Sequence, residues 1–587
     1  MFNKENDTRK VIDINLAESK IEIKQLAKDL EFEGGRGLTS RCILKETDPV
    51  VHPLSEDNNF YIAPGLLSGT PCPNSGRCSM GAKSPLTGGI KETNTGGTLA
   101  TYLARMGIAL IKIKGKSKKE NVIYIEDISE EEGNNNIKVS LHIIEDVKGK
   151  QTYEATKTLQ DKFGSSACIV SIGPAGEKGY LASCLCITDI DGKPTRQAGR
   201  GGLGAVLGSK GIKAVVVKKP SKTKIDYINK DNFMKNAKEF TDILKKSEVT
   251  SKSLPDYGTN VCMGAINGSG ALPTRNFSSG KFEGVDKIGG EALRNTIIKR
   301  GANPTHPCMP GCIIKCSNTY NDDKREEITG GFEFECIWAL GANCGIDDLD
   351  YIAYMNRLCD ELGIDCIEIG VTIAVIMESG YIDFGDKKGA VKLLEEIKED
   401  SPLGRIVASG CVVAGAAFGV KRIPHVKGQG MPAYEPRGIK GIGTTYATSP
   451  MGADHTAGYT ITDEVFKIGK DVEPLESKGK AALSKEFQQS TAFLDSTGLC
   501  LFITLATHGD DRGLLPAVEM LNSKYGINLN EEDIYKIGDE ILQLEIEFNE
   551  KCGMSKYTND VPEFMRKEKL DTHDSVYDVD KEELIEF

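Results

Sequence analysis

One segment constrains this chain more than any other: His306-Pro307-Cys308-Met309-Pro310-Gly311-Cys312-Ile313-Ile314-Lys315-Cys316. Three cysteines at i, i+4 and i+8 would line one side of a helix, but Pro310-Gly311 breaks one, so a loop that encloses something is expected. Soft thiolates at this density suit zinc or an iron–sulfur cluster, and a four-iron cluster needs a fourth thiolate from elsewhere. Cys500, in Asp495-Ser496-Thr497-Gly498-Leu499-Cys500, is the candidate, because its loop also carries a carboxylate and a turn glycine. The plain alternative is four buried free cysteines. The chain has 17 cysteines, and its start, Met1-Phe2-Asn3-Lys4-Glu5-Asn6-Asp7, lacks the basic-then-apolar plan of a secretory signal. A cytoplasmic protein is therefore expected, in which structural disulfides are disfavoured. Cys184, Cys186, Cys262 and Cys411 read as small buried hydrophobes, and Cys336, Cys344, Cys359 and Cys366 as helix or core residues.

A longer echo sets Asp360-Glu361-Leu362-Gly363-Ile364-Asp365 beside Asp495-Ser496-Thr497-Gly498-Leu499-Cys500. A carboxylate, then a glycine that exposes backbone N–H groups, then a polar residue opening the next element is suited to gripping a polar heterocycle; either copy alone is also an ordinary helix end. Three glycine-rich segments crowd the first part of the chain, around Gly34-Gly35-Arg36-Gly37, Gly76-Arg77 with Thr87-Gly88-Gly89 and Asn94-Thr95-Gly96-Gly97, and Ala198-Gly199-Arg200-Gly201-Gly202-Leu203-Gly204. Arginines among backbone amides favour phosphate, although glycine-rich hairpins with surface arginines would look the same. No P-loop is present. The Gly-x-Gly-x-x-Gly spacing at Gly199, Gly201 and Gly204 stands too close to the strand expected from Lys213 for the helix that a dinucleotide fingerprint requires.

Strand patterns at 11–16, 59–63, 107–113, 122–125, 167–172 and 213–217 give a strand-dominated region up to residue 217, bounded by Pro220 and Ser221-Lys222-Thr223-Lys224. Helical periodicity follows. Asp347-Asp348-Leu349-Asp350 caps a helix ending at Gly363, and Asp365 stands at the N-cap of the next. The expected fold is α+β: a β-rich N-terminal domain at 1–217, a helical domain at 218–428 carrying the cysteine loop and the first Asp-x-x-Gly motif, and a helical domain at 429–587 carrying the second. The net charge of −12 over 587 residues argues against nucleic acid or an anionic membrane as the main partner, and no apolar run reaches the length of a membrane span.

The chain resembles the tungsten-containing aldehyde:ferredoxin oxidoreductases over essentially its whole length. The motifs that carry the resemblance are Gly35-Arg36-Gly37-Leu38, Gly76-Arg77 through Lys83-Ser84-Pro85-Leu86-Thr87-Gly88, Ala198 through Val206, Trp338-Ala339-Leu340-Gly341-Ala342-Asn343 and the two Asp-x-x-Gly copies. The resemblance implies an N-terminal base of paired β-sheets under two mostly helical domains. It also implies one tungsten, or molybdenum, held by two pyranopterin-dithiolenes, with one 4Fe-4S cluster. Cys308, Cys312, Cys316 and Cys500 then match cluster thiolates; Asp360, Gly363 and Asp365 match one pterin site, and Asp495, Gly498 and Leu499 the other. Arg77 falls at a phosphate position, the carbonyls of Asn94 and Ala198 where a magnesium ion bridges the pterin phosphates, and Gly199 and Arg200 in the same cofactor-binding segment. Glu335 and His455 match residues near metal and substrate. A small aldehyde as substrate follows, with ferredoxin or a multi-cluster iron–sulfur subunit as electron partner, in a homo- or hetero-oligomer. Other readings are an aromatic acyl-thioester reductase on the same cofactor and a non-catalytic iron–sulfur electron-transfer subunit.

Three departures stand out. The cysteine run is Cys-x-x-x-Cys-x-x-x-Cys rather than Cys-x-x-Cys-x-x-x-Cys, which leaves Thr305 at the first thiolate position and makes Cys316 its replacement. Phe334 replaces an aromatic hydroxyl. Tyr354 and Ile442 occupy positions of inter-subunit iron ligands, so a dimer bridged by that iron is not expected.

Overall fold

A computed structural model describes residues 9–128, 137–221 and 225–587. The N-terminal residues read above for a signal, and Lys222-Thr223-Lys224 of the boundary segment, lie outside these. The first 217 residues hold two six-stranded sheets. One runs β2-β1-β6-β3-β4-β5, from β1 (Lys10–Asn15), β2 (Lys20–Gln25), β3 (Phe60–Pro64), β4 (Cys78–Lys83), β5 (Ile90–Thr95) and β6 (Ile108–Lys114). The other, from β7 (Val122–Asp127), β8 (Ile137–His142), β9 (Cys168–Ile172), β10 (Leu185–Ile187), β11 (Arg196–Ala198) and β12 (Ala214–Val217), runs β8-β7-β12-β9-β10-β11.

The two sheets repeat one plan. Strands β1 and β6 pair in parallel, as do β7 and β12, and every other neighbouring pair is antiparallel. The apolar faces of both sheets meet in one core that includes Ile12, Ile62, Ile111, Ile125, Val170 and Val215. The edge strands β5 and β11 lie against each other at the opening toward the helical part. This duplication escaped the sequence reading, although both halves carry a Gly-Gly pair before a short helix and a Gly-Ile after it, at Gly96-Gly97 and Gly107-Ile108 and at Gly201-Gly202 and Gly211-Ile212.

The strand expectations at 11–16, 59–63, 107–113, 122–125, 167–172 and 213–217 are all met by strands. Strands β4, β5 and β11 fall in or beside the glycine-rich segments assigned to turns or phosphate, and β10 in an apolar stretch around Cys186 to which no strand was assigned. Their residues, such as Ile90-Lys91-Glu92-Thr93-Asn94-Thr95, are mostly buried whatever their polarity, so no apolar alternation marks them. The expectation that no helix fits before Lys213 also needs correction: Leu203–Ser209 is a helix of seven residues, entered from Gly202 in the left-handed region. Gly35-Arg36-Gly37 is likewise helical, opening Gly35–Glu46.

Beyond residue 230 the chain is mostly helical. Helix Lys230–Lys246 packs on Leu515–Tyr525, and Lys480–Thr497, which the sequence reading missed, packs on Glu532–Lys551. The Asp348 side chain caps Leu349–Leu362, and Asp365 caps Cys366–Glu378. Among the described residues no single helix is long and apolar enough to cross a membrane.

Candidate cofactor and substrate chamber

The two Asp-x-x-Gly motifs are helix C-termini driven against the two sheets. Leu349–Leu362 ends at Gly363 (φ 67°) and Lys480–Thr497 at Gly498 (φ 83°), both left-handed caps. A Cβ on Gly363 would stand 2.5 Å from the Gly173 nitrogen, just after β9, and one on Gly498 3.1 Å from Gly65 Cα, just after β3. Only glycine permits that approach. Each aspartate then meets the edge strand of its own sheet: Gln197 Nε2 on β11 donates to Asp360 Oδ1 at 2.7 Å, and Asn94 Nδ2 on β5 donates to Asp495 Oδ1 at 3.0 Å. The duplicated domain thus presents two matching half-sites to the helical part.

Between them lie two adjoining cavities of about 230 and 240 Å³, both bordered by Arg77, Gln197 and His455. Asn94, Gly199, Arg200, Asp360, Asp365 and Asp495 line the second. Gly363, Gly498 and the fully buried Leu499 and Ala198 shape its surroundings without bordering it. The arginines are less free than the phosphate reading expected. Arg200 is committed to Asp365 (3.1 Å) and to the carbonyls of Ala453 and Gly430 (both 2.7 Å), and Arg36 to Glu545 and Asp495. Arg77 donates to the Asn94 side chain at 2.6 Å and to its carbonyl at 3.3 Å, so that carbonyl faces a cation already.

Burial dominates the carboxyls here. It pushes Asp360 up to about 7, Asp495 up to about 6 and Glu92 up to about 8, against neighbouring cations. Asp454 goes the other way: burial pushes it up, but Lys91, Arg200 and His455 outweigh that and hold it below the usual carboxylate range. The raised Asp360 has a testable consequence. The folded chain binds this proton more tightly than the unfolded chain, so its contribution is fully present below the ordinary aspartate value and is lost as pH rises through about 7. Unfolding free energy should fall by on the order of 2 to 3 kcal/mol between pH 5 and 8 from this group, and Asp360→Asn should flatten that slope in denaturant titrations across the range.

The cysteine loop closes the first cavity. Cys308, Cys316 and Cys500 line it, and Cys312 is buried beside them. Asn74 ties the two cysteine segments together: its N–H donates to Gly311 O (3.0 Å), its side-chain oxygen accepts from Ile313 N (3.1 Å), and its carbonyl accepts from Cys500 N (2.9 Å). A hydrogen bond from Cys312 pulls the Cys308 thiol down to about 6 in spite of burial, with help from Arg196 and Arg77, while burial raises Cys500 to about 11. Thr305 turns away, its hydroxyl donating to Pro255 O at 2.7 Å, and the preceding loop is anchored by His306 to Asp191 at 2.8 Å.

At the same cavity, Glu335 sits in the first turn of Phe334–Leu340 and His455 in a short turn capped by Asp454. Glu335 Oε2 accepts from Ala433 N at 3.1 Å, and Oε1 stands 3.3 Å from His455 Nε2, close but not aligned as a hydrogen bond. Glu335 Oε1 and His455 Nδ1 therefore keep capacity for a third group. Burial raises the Glu335 carboxyl, opposed by His455. Phe334 packs on Tyr434, whose hydroxyl lies 2.7 Å from that of Tyr459, so a buried phenol pair supplies polarity that Phe334 lacks. Sequence reasoning missed Asn74, Glu92, Gln197, Tyr434 and Tyr459, because no motif singles them out.

Two further findings depart from expectation. Cys336 and Cys366 form a disulfide, with Cα atoms 5.6 Å apart, although a chain read as cytoplasmic was expected to carry none. Helix packing brings together two residues 30 apart, which spacing alone does not reveal. Ile442 is fully buried within Lys440–Thr448, which removes it from any subunit contact.

Comparison with known proteins decides the family. Residues 11–219 match the model of the aldehyde ferredoxin oxidoreductase N-terminal domain, and 235–586 that of domains 2 and 3. The chain belongs to the aldehyde ferredoxin oxidoreductase family. It is 36% identical to the tungsten-containing aldehyde ferredoxin oxidoreductase of Pyrococcus furiosus over 568 residues, 94% of this chain and 89% of that protein. Its identity to the corresponding Thermococcus kodakarensis protein is 35%, covering 92% and 88%. The WOR-like subunit of an aliphatic sulfonate oxidoreductase of P. furiosus is 26% identical, covering 91% and 85%. Among solved structures, the active-site complex BamBC of benzoyl coenzyme A reductase superposes with a TM-score of 0.78 at 20% identity, over 96% of this chain and 91% of that one, a likeness of fold. The chain is an oxidoreductase with the α+β architecture of this family: paired sheets, then helical domains.

Proposed function

We propose that this oxidoreductase converts aldehydes to carboxylic acids at a tungsten centre held by two pyranopterins, delivering electrons through one 4Fe-4S cluster to ferredoxin or a clustered partner subunit. The observation that carries this reading is the pair of adjoining cavities bordered by His455, with Glu335 and the cysteine loop on one and both aspartate half-sites on the other. The residues fit the groups. Glu92 Oε1, Arg196 Nη2 and His455 Nδ1 are buried there without hydrogen-bond partners, and Glu92, raised by burial, offers a donor to a polar heterocycle. Asp360 and Asp365 would hold one pterin, Asp495 and the Leu499 backbone the other; Arg77 would meet phosphate, with the Asn94 and Ala198 carbonyls at a bridging magnesium ion. Bound there, the tungsten centre supplies two-electron oxidation of the carbonyl carbon, and the cluster held by Cys308, Cys312, Cys316 and Cys500 supplies single-electron transfer.

The protein's own part is acid–base and positional. His455 hydrogen-bonds the carbonyl oxygen of the substrate, and Glu335 Oε1 takes the proton released from water as the acid forms. Ala433 N fixes the other Glu335 oxygen, so the carboxylate presents one face to the reaction. Phe334, Tyr434 and Tyr459 wall the substrate end and limit water. Protein purified anaerobically should contain tungsten and four irons per chain and reduce ferredoxin with aldehydes. Iron alone, or turnover only with aromatic thioesters, would overturn the proposal.

The assignment of Cys316 carries its own prediction. Cys316→Ala should lose the four-iron spin-resonance signal and lower iron below four per chain, whereas Thr305→Ala should change neither, since its hydroxyl is bound to Pro255. Full iron in Cys316→Ala would assign the fourth ligand elsewhere.

A further inference from the structure

Cys336 and Cys366 are set apart from the other cysteines. Each is only partly buried, while of the remaining fifteen all but Cys552 are buried. Both line the second cavity, together with Asp365 and His455. Cys336 follows Glu335 in the first turn of its helix, and Cys366 follows Asp365 at the start of the helix Cys366–Glu378, which packs against it. Their bond thus ties the backbone beside the acid–base carboxylate to the backbone beside an aspartate half-site. The Cα separation of 5.6 Å lies in the range that lets a pair open and close without moving the backbone.

We propose that Cys336 and Cys366 are a redox-active dithiol–disulfide pair in the chamber wall that lowers turnover when oxidised. The oxidant class that fits is a small aliphatic disulfide no larger than the substrate, since the proposed cofactor takes up the rest of the chamber. One cysteine thiolate attacks a sulfur of the small disulfide and expels one thiol. The second thiolate then attacks the mixed disulfide and expels the other. The pair loses two protons and two electrons, and the small disulfide gains both as two thiols. In the dithiol state the turn carrying Cys336 packs against the helix that begins at Cys366 without a covalent tie, so the Glu335 backbone can shift while Ala433 N still holds one carboxylate oxygen. The cross-link removes that freedom by anchoring the adjacent residue to the neighbouring helix. This effect on turnover rests on the proposed role of Glu335; the existence of the pair does not.

The test uses the anaerobic holoenzyme treated with 2-hydroxyethyl disulfide or with dithiothreitol, followed by alkylation and peptide mass mapping. After dithiothreitol both cysteines should be alkylated. After the disulfide they should be cross-linked, with turnover reduced by roughly threefold or more and restored by reductant. Cys366→Ser and Cys336→Ser should each lose this response. Two alkylatable thiols after oxidation, a cross-link without change in turnover, or an undiminished response in both serine variants would each overturn the proposal. Glu335→Gln separates the two readings: normal turnover in that variant, with cross-linking intact, would remove Glu335 as the base and leave the pair in place.

Discussion

Replacing His455 with Ala or Glu335 with Gln should lower kcat by roughly 10²-fold or more without changing the metal content. The expectation rests on two unfilled atoms, Glu335 Oε1 and His455 Nδ1, in a pair whose nearest approach is 3.3 Å. Burial keeps the Glu335 carboxyl above its ordinary value, which improves it as a proton carrier near neutral pH. Neither residue is among the proposed cofactor ligands, so the loss should appear in the chemical step rather than in metal binding. Anaerobic kinetics across aliphatic and aromatic aldehydes, with metals measured for each variant, give the answer. Near wild-type turnover in both would assign the reaction to the metal centre and its water alone.

The second large effect concerns stability. Arg36 is a buried guanidinium that donates from Nε and Nη2 to the two Glu545 oxygens at 2.9 and 2.8 Å and from Nη1 to Asp495 at 3.3 Å. Ser40 completes the cluster by donating to Glu545 Oε1 at 2.9 Å. Burial disfavours the charge on Arg36, but Glu545 and Asp495 more than offset this. Arg36→Met leaves Glu545 fully buried without its partner and should cost about 3 to 5 kcal/mol of folding free energy, read from denaturant unfolding. Pairing it with Glu545→Met should recover most of that loss, because two apolar side chains replace two desolvated charges. If the double variant is no more stable than the single one, the cost comes from lost packing rather than an orphaned carboxylate. The same change should loosen the Asp495 half-site, since Arg36 opposes the upward shift of that carboxyl.

Much of the chamber was legible because its residues sit in short local patterns. Asp365 announces itself as an N-cap and Gly363 as a C-cap, and backbone geometry requires those types whatever surrounds them. Cys308, Cys312 and Cys316 share one loop, so their density is visible without a fold. The polar edge strands β5 and β11 were illegible for the opposite reason. A strand buried on both faces beside a polar chamber shows neither alternation nor an apolar run.

The amino-acid order by itself determined the helix ends, the apolar strands and the two cysteine segments, because each depends on residues within a few positions of one another. Only the tertiary structure decided that the two sheets repeat one plan, that Gln197 and Asn94 answer Asp360 and Asp495, and that Asn74 joins the loops holding Cys312 and Cys500. It also decided that Arg36 and Arg200 are spent on buried carboxylates rather than held open for phosphate, and that Cys336 meets Cys366. Each of these contacts joins residues far apart in the chain, and no local propensity encodes which distant partner a buried charge, amide or thiol will find.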